Sequence, residues 1–259
     1  RREGKRIRRG VYLMLNVTVR QELMSKITEI LGLVVEDARF DFAEDGLHIR
    51  VVDPSHVAMI KLDADAAAFD TWEIDDSKIG LDIRKLKETL DLGGANDLIE
   101  FSYGEETGVM TINLGNIDRN IRPLDNSIMN PPAVPELEFP CKTVINGAEF
   151  SQALRAARLV GDLVNFSLSQ DSFTIHVQGS ADSVTVVFDK EELHSIECKE
   201  PARSQYSLTY LVPMGKIFGG IDQVSLGFGE NFPLSMTFSL FDGAVEVQHF
   251  LAPRVESDI

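Results

Sequence analysis

The sequence predicts two copies of one α+β domain, each setting two helices on a large antiparallel sheet. Two alignments of the chain with itself carry this reading. DLIEFSYGE (97–105) lies without a gap over DQVSLGFGE (222–230), with charge, aromatic and glycine positions coinciding about 125 residues apart. RFDFAEDGLHIRVVD (39–53) lies over NFSLSQDSFTIHVQG (165–179), pairing Phe40 with Phe166, Asp45 with Asp171, Ile49 with Ile175 and Val51 with Val177. A repeat of this length is a whole domain and not one turn of a solenoid. Helical and strand periodicities then alternate in the same order in both halves, and repeated curved units make a candidate ring.

Taken in chain order, Leu23, Ile27, Ile30, Leu31 and Val34 recur at helical spacing with Glu22, Lys26 and Glu29 on the other side, predicting a helix over 21–35. Leu47, Ile49 and Val51 alternate, as do Val57, Met59 and, after Ile60, Leu62, so two strands flank a DPSH turn. Ile83, Leu86 and Leu90 mark a helix over 82–92, opened by Asp82 as N-cap. Strands follow at 97–103 and 108–114. The second half repeats the order: a helix at 149–160, with Asn146 as cap and Glu149 at the capping-box position, strands at 163–168, 172–177 and 184–188, a helix at 209–218, and strands at 223–228, 233–240 and 244–251.

With 259 residues, 44% of them hydrophobic, the chain can bury two ordinary cores. No apolar run approaches the ~18–20 residues of a membrane span, and the start lacks the apolar core of a signal peptide, so the expected place is the cytoplasm and no membrane partner is expected. Cys141 and Cys198 lie far apart, with no CxxC and no nearby histidine pair, and read as structural thiols; no metal site and no cofactor is expected. The formal charge is −16, yet the first thirteen residues hold six basic side chains against one acidic, which leaves −21 for the remainder. This basic extension, 1–13, is foreign in composition to the rest of the chain, and Met14 reads as a natural domain start. It is expected to stand outside the fold, the alternative being a flexible arm that touches DNA.

Between the halves, DNSIMNPPAVPELEFP (125–140) holds four of the ten prolines and reads as an extended connector that exposes Val134 and Leu137 at low entropic cost. The expected organisation is therefore domain 1 over 14–124, connector over 125–140, and domain 2 over 141–259.

Several segments carry a family resemblance: DGLHIRVVDPSHVAMIKL followed by FDTWE, the RPLD that enters the connector, PARSQYSL, and the terminal FPLSMTF with VEVQHFLAPRVES. From Met14 to its end the chain resembles the archaeal and eukaryotic sliding clamp, proliferating cell nuclear antigen. The resemblance implies a closed homotrimeric ring of six similar domains, threaded by double-stranded DNA and associated with the nucleoid. DNA polymerase, clamp loader, flap nuclease and ligase would dock on it through PIP-type motifs. Gln170 stands where eukaryotic clamps carry the lysine that receives ubiquitin, which points to the archaeal branch.

Residue by residue, the resemblance places the four helices on the inner wall, so the cations expected to face DNA are Lys26, Arg84, Lys85, Lys87, Arg155, Arg158 and Lys216. Such phosphate contacts are independent of sequence and sensitive to salt. Glu88 and Asp91 depart from the family pattern by standing where eukaryotic clamps have lysines. The subunit interface is expected at Asp118 and Ile121 on one edge and Val184, Val186 and Phe188 on the next subunit's edge, since an edge strand left bare invites pairing. The partner-peptide pocket is expected from Val52, His56, Val57 and Met59, from Pro132, Val134 and Pro135 of the connector, and from Ser207, Pro233, Phe250, Ala252 and Pro253.

No catalytic residue is expected. The sequence has no P-loop, HExxH or GxSxG, and GFGEN (227–231) lacks the helix a phosphate loop requires. Asp53, Ser55 and His56 share one turn, where Asp53 reads as an Asx-turn former, not as part of a relay. The alternatives left by one sequence are a subunit of a heterotrimeric ring and an oligomeric adaptor that does not bind DNA.

Overall fold

The computed structural model describes residues 7–8 and 11–255. The described residues divide into two compact units: those within 7–52, 60–133 and 241–246 form unit 1, and those within 53–59, 134–240 and 247–255 form unit 2. The strands in order are β1 (Ile7–Arg8), β2 (Val11–Tyr12), β3 (Leu15–Arg20), β4 (Asp37–Ala43), β5 (Gly46–Val52), β6 (Ala58–Asp65), β7 (Thr71–Ile74), β8 (Ser77–Asp82), β9 (Leu98–Gly104), β10 (Val109–Leu114) and β11 (Ile117–Ile121). They continue as β12 (Cys141–Ile145), β13 (Leu163–Leu168), β14 (Ser172–Gln178), β15 (Ser183–Asp189), β16 (Ser195–Cys198), β17 (Ala202–Ser207), β18 (Val224–Phe228), β19 (Leu234–Leu240) and β20 (Val245–Leu251). The helices are α1 (Gln21–Leu31), α2 (Ile83–Leu90), α3 (Gly147–Arg158) and α4 (Leu208–Phe218).

From β3 onward the order strand, helix, five strands, helix, three strands occurs twice, β3 to β11 and then β12 to β20. Strand order repeats too: β7-β3-β9-β10-β11 has its counterpart in β16-β12-β18-β19-β20, and β8-β4-β5-β6 in β17-β13-β14-β15. The two aligned segments fall on equivalent places, β4–β5 with β13–β14 and β9 with β18. Phe40, Phe166, Ile49, Ile175, Val51 and Val177 are all buried, so the repeat seen in the sequence is a repeat of core positions.

Helix ends follow local chemistry. Asp82 accepts from the Lys85 amide at 2.9 Å, and Asn146 accepts from the Ala148 and Glu149 amides at 3.0 and 3.2 Å. No returning bond from the Glu149 carboxylate occurs among the described residues, so the cap is one-sided. Helix α1 ends at Leu31, short of 35: beyond it the chain tightens into i→i−3 turns, Leu33 N–H on Ile30 O at 3.2 Å and Val34 N–H on Leu31 O at 3.0 Å. Helix α3 begins at Gly147, where a Cβ would collide with the carbonyls of Phe218 and Ile221. Cores differ in make-up: that of unit 2 is built on rings, with Phe150, Phe166, Phe173, Phe218, Phe228 and Tyr206 in mutual contact.

Strands β3, β4, β7, β8, β11, β12, β16 and β17, not anticipated from periodicity, complete the sheets; Thr71–Ile74, for example, is half-buried throughout and shows no alternation. Residues 1–6 and 9–10 of the basic extension lie outside the described residues. Within its described part, β1 pairs with β2, the Tyr12 hydroxyl donates to Asp75 at 2.7 Å, and Leu13 is buried. The connector is pinned at both ends. In unit 1 the Leu124 amide bonds Gly80 O, Asn126 bonds Lys78 O, and Arg39 donates to Met129 O. In unit 2 Phe139 packs edge-on against Phe232. Val134 and Leu137 are half-buried, less bare than a free connector would leave them.

Candidate functional site

In unit 1, α1 and α2 pack side by side, and the Gln21 side chain ties them by donating to Leu90 O at 2.8 Å. Their buried faces are apolar, which leaves Lys26, Arg84, Lys85 and Lys87 toward solvent. Three of these four cations meet carboxylates: Lys26 pairs with Glu29 at 2.6 Å, Lys87 with Asp91 at 2.7 Å, and Lys85 reaches Asp82 at 4.0 Å. Arg84 has no ion pair among the described residues. Sequence reasoning missed Arg119, which reaches from β11 to Lys85 O and Thr89 Oγ1 and stands 3.6 Å from Glu88. It is a strand residue whose link to a helix no local spacing signals.

In unit 2, α3 and α4 also pack side by side and present Arg155, Arg158 and Lys216, all exposed. Arg158 pairs with Asp162, whereas Arg155 and Lys216 carry no ion pair among the described residues. Helix α4 contains no acidic residue at all.

At its edge unit 2 exposes β15, where Thr185 and Val187 are open to solvent and Val184 and Val186 are half-buried. Phe188 is only 7% exposed and stacks on Phe173 inside the unit. The expectation that it supplies a free apolar contact to a second subunit is thereby corrected: its ring is already used in the core. The edge of unit 1 is β11, with Asp118 and Asn120 exposed. Ile121, 8% exposed, faces inward, the same correction for the same reason.

The DPSH turn of unit 2 is organised by Asp53. Its carboxylate accepts from the amides of Val57 at 2.6 Å, Ala58 at 2.7 Å and Ser55 at 3.1 Å, and from the Tyr210 hydroxyl at 3.0 Å. Burial by itself would raise the pKa of Asp53, but these bonds, from Ala58 and Val57 foremost, outweigh it and hold the carboxyl below the usual range. The turn also places His56 at a φ of +56° with its side chain exposed. Tyr210, on α4, was not anticipated, since its partner lies 157 residues away.

Past this turn runs the end of the chain, held straight by Ala252 N on Val57 O at 2.8 Å and Arg254 N on Gln205 O at 2.7 Å. Unit 2 thus brings Val57 and the tail together, leaving Val57, Met59, Pro233, Ala252 and Pro253 half-exposed. Val134 and Pro135 belong to the same unit, and Val52 and Pro132 to unit 1. Ser207 is spent on capping α4 through the Thr209 amide. Phe250, expected among the pocket residues, is only 6% exposed and its ring is spent in the core: the end of β20 is buried on both faces, with His249 at 1% beside it. Both ring nitrogens of His249 lack a partner among the described residues, and burial pushes its pKa down to about 4. A polar cleft of about 450 Å³ opens beside the tail, lined by Arg203, Gln205, Glu230, Asn231 and Arg254.

Comparison with known proteins decides the family. Residues 14–128 match the model of the N-terminal domain of proliferating cell nuclear antigen, and residues 133–254 match that of its C-terminal domain. The chain belongs to the proliferating cell nuclear antigen family. Curated members similar to it include the DNA polymerase sliding clamps of Methanocella arvoryzae, 34% identical over 246 residues, and Archaeoglobus fulgidus, 33% identical over 247. Each alignment spans 95% of this chain and all of the relative. Among solved structures, the A. fulgidus antigen bound to the C-terminal region of FEN-1 superposes with a TM-score of 0.88 at 32% identity, over 95% of this chain and all of that one. The antigen of Entamoeba histolytica, at 18% identity and a TM-score of 0.85 over 94% of this chain and all of that one, shares the fold. Among the described residues of this family member no helix is long and apolar enough to cross a membrane.

Proposed function

We propose that this chain is a DNA sliding clamp: three copies close into a ring that encircles duplex DNA and tethers DNA polymerase, flap nuclease and other replication proteins to it. The observation that carries the reading is the match of both halves of the chain to the two clamp domains, 14–128 and 133–254, on one repeated plan of strands and helices. The chain acts by topology and binding, with no reaction of its own. Exposed cations on α1 to α4 supply the phosphate attraction, and ring closure supplies the persistence, so weak contacts suffice and sliding stays free. Partner peptides, of which the FEN-1 tail on the A. fulgidus protein is the example, dock on the half-exposed apolar groups Val57, Met59, Pro233, Ala252 and Pro253. Val134, Pro135 and the exposed His56, all of the same unit, extend that site. Clamp loader and ligase are expected to use it in turn.

The test is topological. Clamp loaded onto nicked circular DNA is expected to stay bound in high salt and to be released once the circle is cut open. Release from the intact circle by salt alone would mean that DNA is held only by surface charge and is not encircled. Mass measurement of the purified chain separates self-closure from a mixed ring, since a monomer at micromolar concentration would require different partner subunits.

A further inference from the structure

The two cysteines of the chain face each other across a strand pair. Strand β12 runs antiparallel to β16 with Cys141 opposite Cys198. Lys199 N donates to Pro140 O at 3.2 Å, so the hydrogen-bonded position is the pair next to them. Cys141 and Cys198 therefore occupy a non-hydrogen-bonded position, where opposed Cα atoms come to about 4.5 Å and side chains are nearest. That spacing lies within the range a disulfide spans, about 4.4–6.8 Å. The sulfur atoms are already 2.8 Å apart, and no other cysteine in the sequence competes for either.

We propose that Cys141 and Cys198 are a redox modification site, a dithiol that oxidises to an intramolecular disulfide and fastens the outer strand β16 to β12. The co-reactant is a small thiol oxidant of the peroxide class. One thiolate attacks a peroxide oxygen, giving a sulfenic acid and water; the second thiol then displaces the hydroxyl from that sulfur. One S–S bond forms, two S–H bonds are lost, and the peroxide leaves as two waters.

The surroundings set the rate. Both thiols are buried, Cys141 fully. Burial first, and the neighbouring sulfur second, push the Cys141 thiol up to about 12, so little thiolate is present near neutrality. Access comes through β16, a four-residue strand at the outer end of its sheet, where local opening costs less than global unfolding. Oxidation is accordingly slow and gated by β16. The finished bond closes the 57-residue separation that contains α3, β13, β14 and β15, a length at which a crosslink strongly restricts the unfolded chain.

The full chain is treated with hydrogen peroxide, denatured, alkylated and weighed. The expected result is loss of two hydrogens, no alkylation at either cysteine, and a crosslinked peptide that reverts with dithiothreitol. The oxidised form is expected to melt roughly 10 °C above the reduced form, with slower amide exchange in β16. The same treatment of Cys198→Ser is expected to give no such shift. Because oxidised and reduced forms of the unaltered protein are compared directly, a poorly folding variant does not weaken the test. Two thiols still alkylated after oxidation, added oxygen in place of lost hydrogen, or crosslinks only between chains would overturn the proposal.

Discussion

Strands β11 and β20 hold equivalent places in the two repeats, as do β6 and β15, yet their burial is opposite. Strand β20 buries Val245, Val247, His249, Phe250 and Leu251, whereas β11 buries only Ile121. Strand β6 alternates buried and half-buried side chains along its length, whereas β15 buries only Phe188. One plan thus produces two edges that are covered and two that are bare. Backbone groups on a bare edge remain unpaired and are open to pairing with another strand. Their presence on both repeats is what a head-to-tail assembly requires, one bare edge meeting the other in the next copy.

The largest expected effect breaks this comparison outright. Val186→Asp, on β15, sets a charge on the half-buried face of a bare edge, where pairing would strip its water without supplying a counter-ion. Light scattering is expected to show monomer with the circular dichroism of the parent; an unchanged trimer mass would remove β15 from the interface. On the covered side, Phe250→Ala deletes a ring that is 6% exposed. It is expected to cost about 3 kcal/mol in denaturant unfolding, besides any loss of partner-peptide affinity seen by calorimetry. A cost under about 1 kcal/mol would show that the ring is not a core element.

His249 sharpens the contrast through pH. Its folded pKa, about 4, lies below the ordinary 6.5 because burial penalises the charged ring. The unfolded chain therefore binds the extra proton first as pH falls, so this contribution is complete above about 6.5 and is lost progressively toward 4. The loss amounts to about 3 kcal/mol at full protonation. Denaturant midpoints are expected to drop between pH 7 and 5, and His249→Phe is expected to flatten that slope; a parallel slope in the variant would assign the drop to other groups.

The smallest effects separate the two helix pairs. Arg155 and Lys216 carry no ion pair among the described residues, while Lys26, Lys85 and Lys87 each meet a carboxylate. Reversing Arg155 and Lys216 to Glu is expected to weaken clamp-dependent DNA synthesis about tenfold at low salt, and reversing Lys85 and Lys87 about threefold. Equal losses would mean that the intrahelical pairs do not damp the attraction of unit 1.

Much of this architecture was legible because its signals are local. The 3.6-residue stripes of α1 and α2, the caps at Asp82 and Asn146, and the alternation in β5 and β14 depend only on neighbours in the chain. They were found within a few residues of their observed ends. Strand β7, half-buried without alternation, has no such signature and was missed; β3, β4 and β12 alternate and were missed all the same, being short runs. Cationic positions on the helices could be read from the helical period, but not their neutralisation, which depends on rotamers and on a residue such as Arg119 arriving from β11.

The sequence by itself therefore determined the duplication, the four helices with their faces and the family, because each is written in spacing or in contiguous motif. Only the tertiary structure decided that Phe250 and Phe188 point inward, that Tyr210 meets Asp53, and that two cysteines 57 residues apart touch. The physical reason is that covering an edge, burying a ring and closing a cross-strand pair depend on strands far apart in the chain coming into register, and that information is carried by no local window.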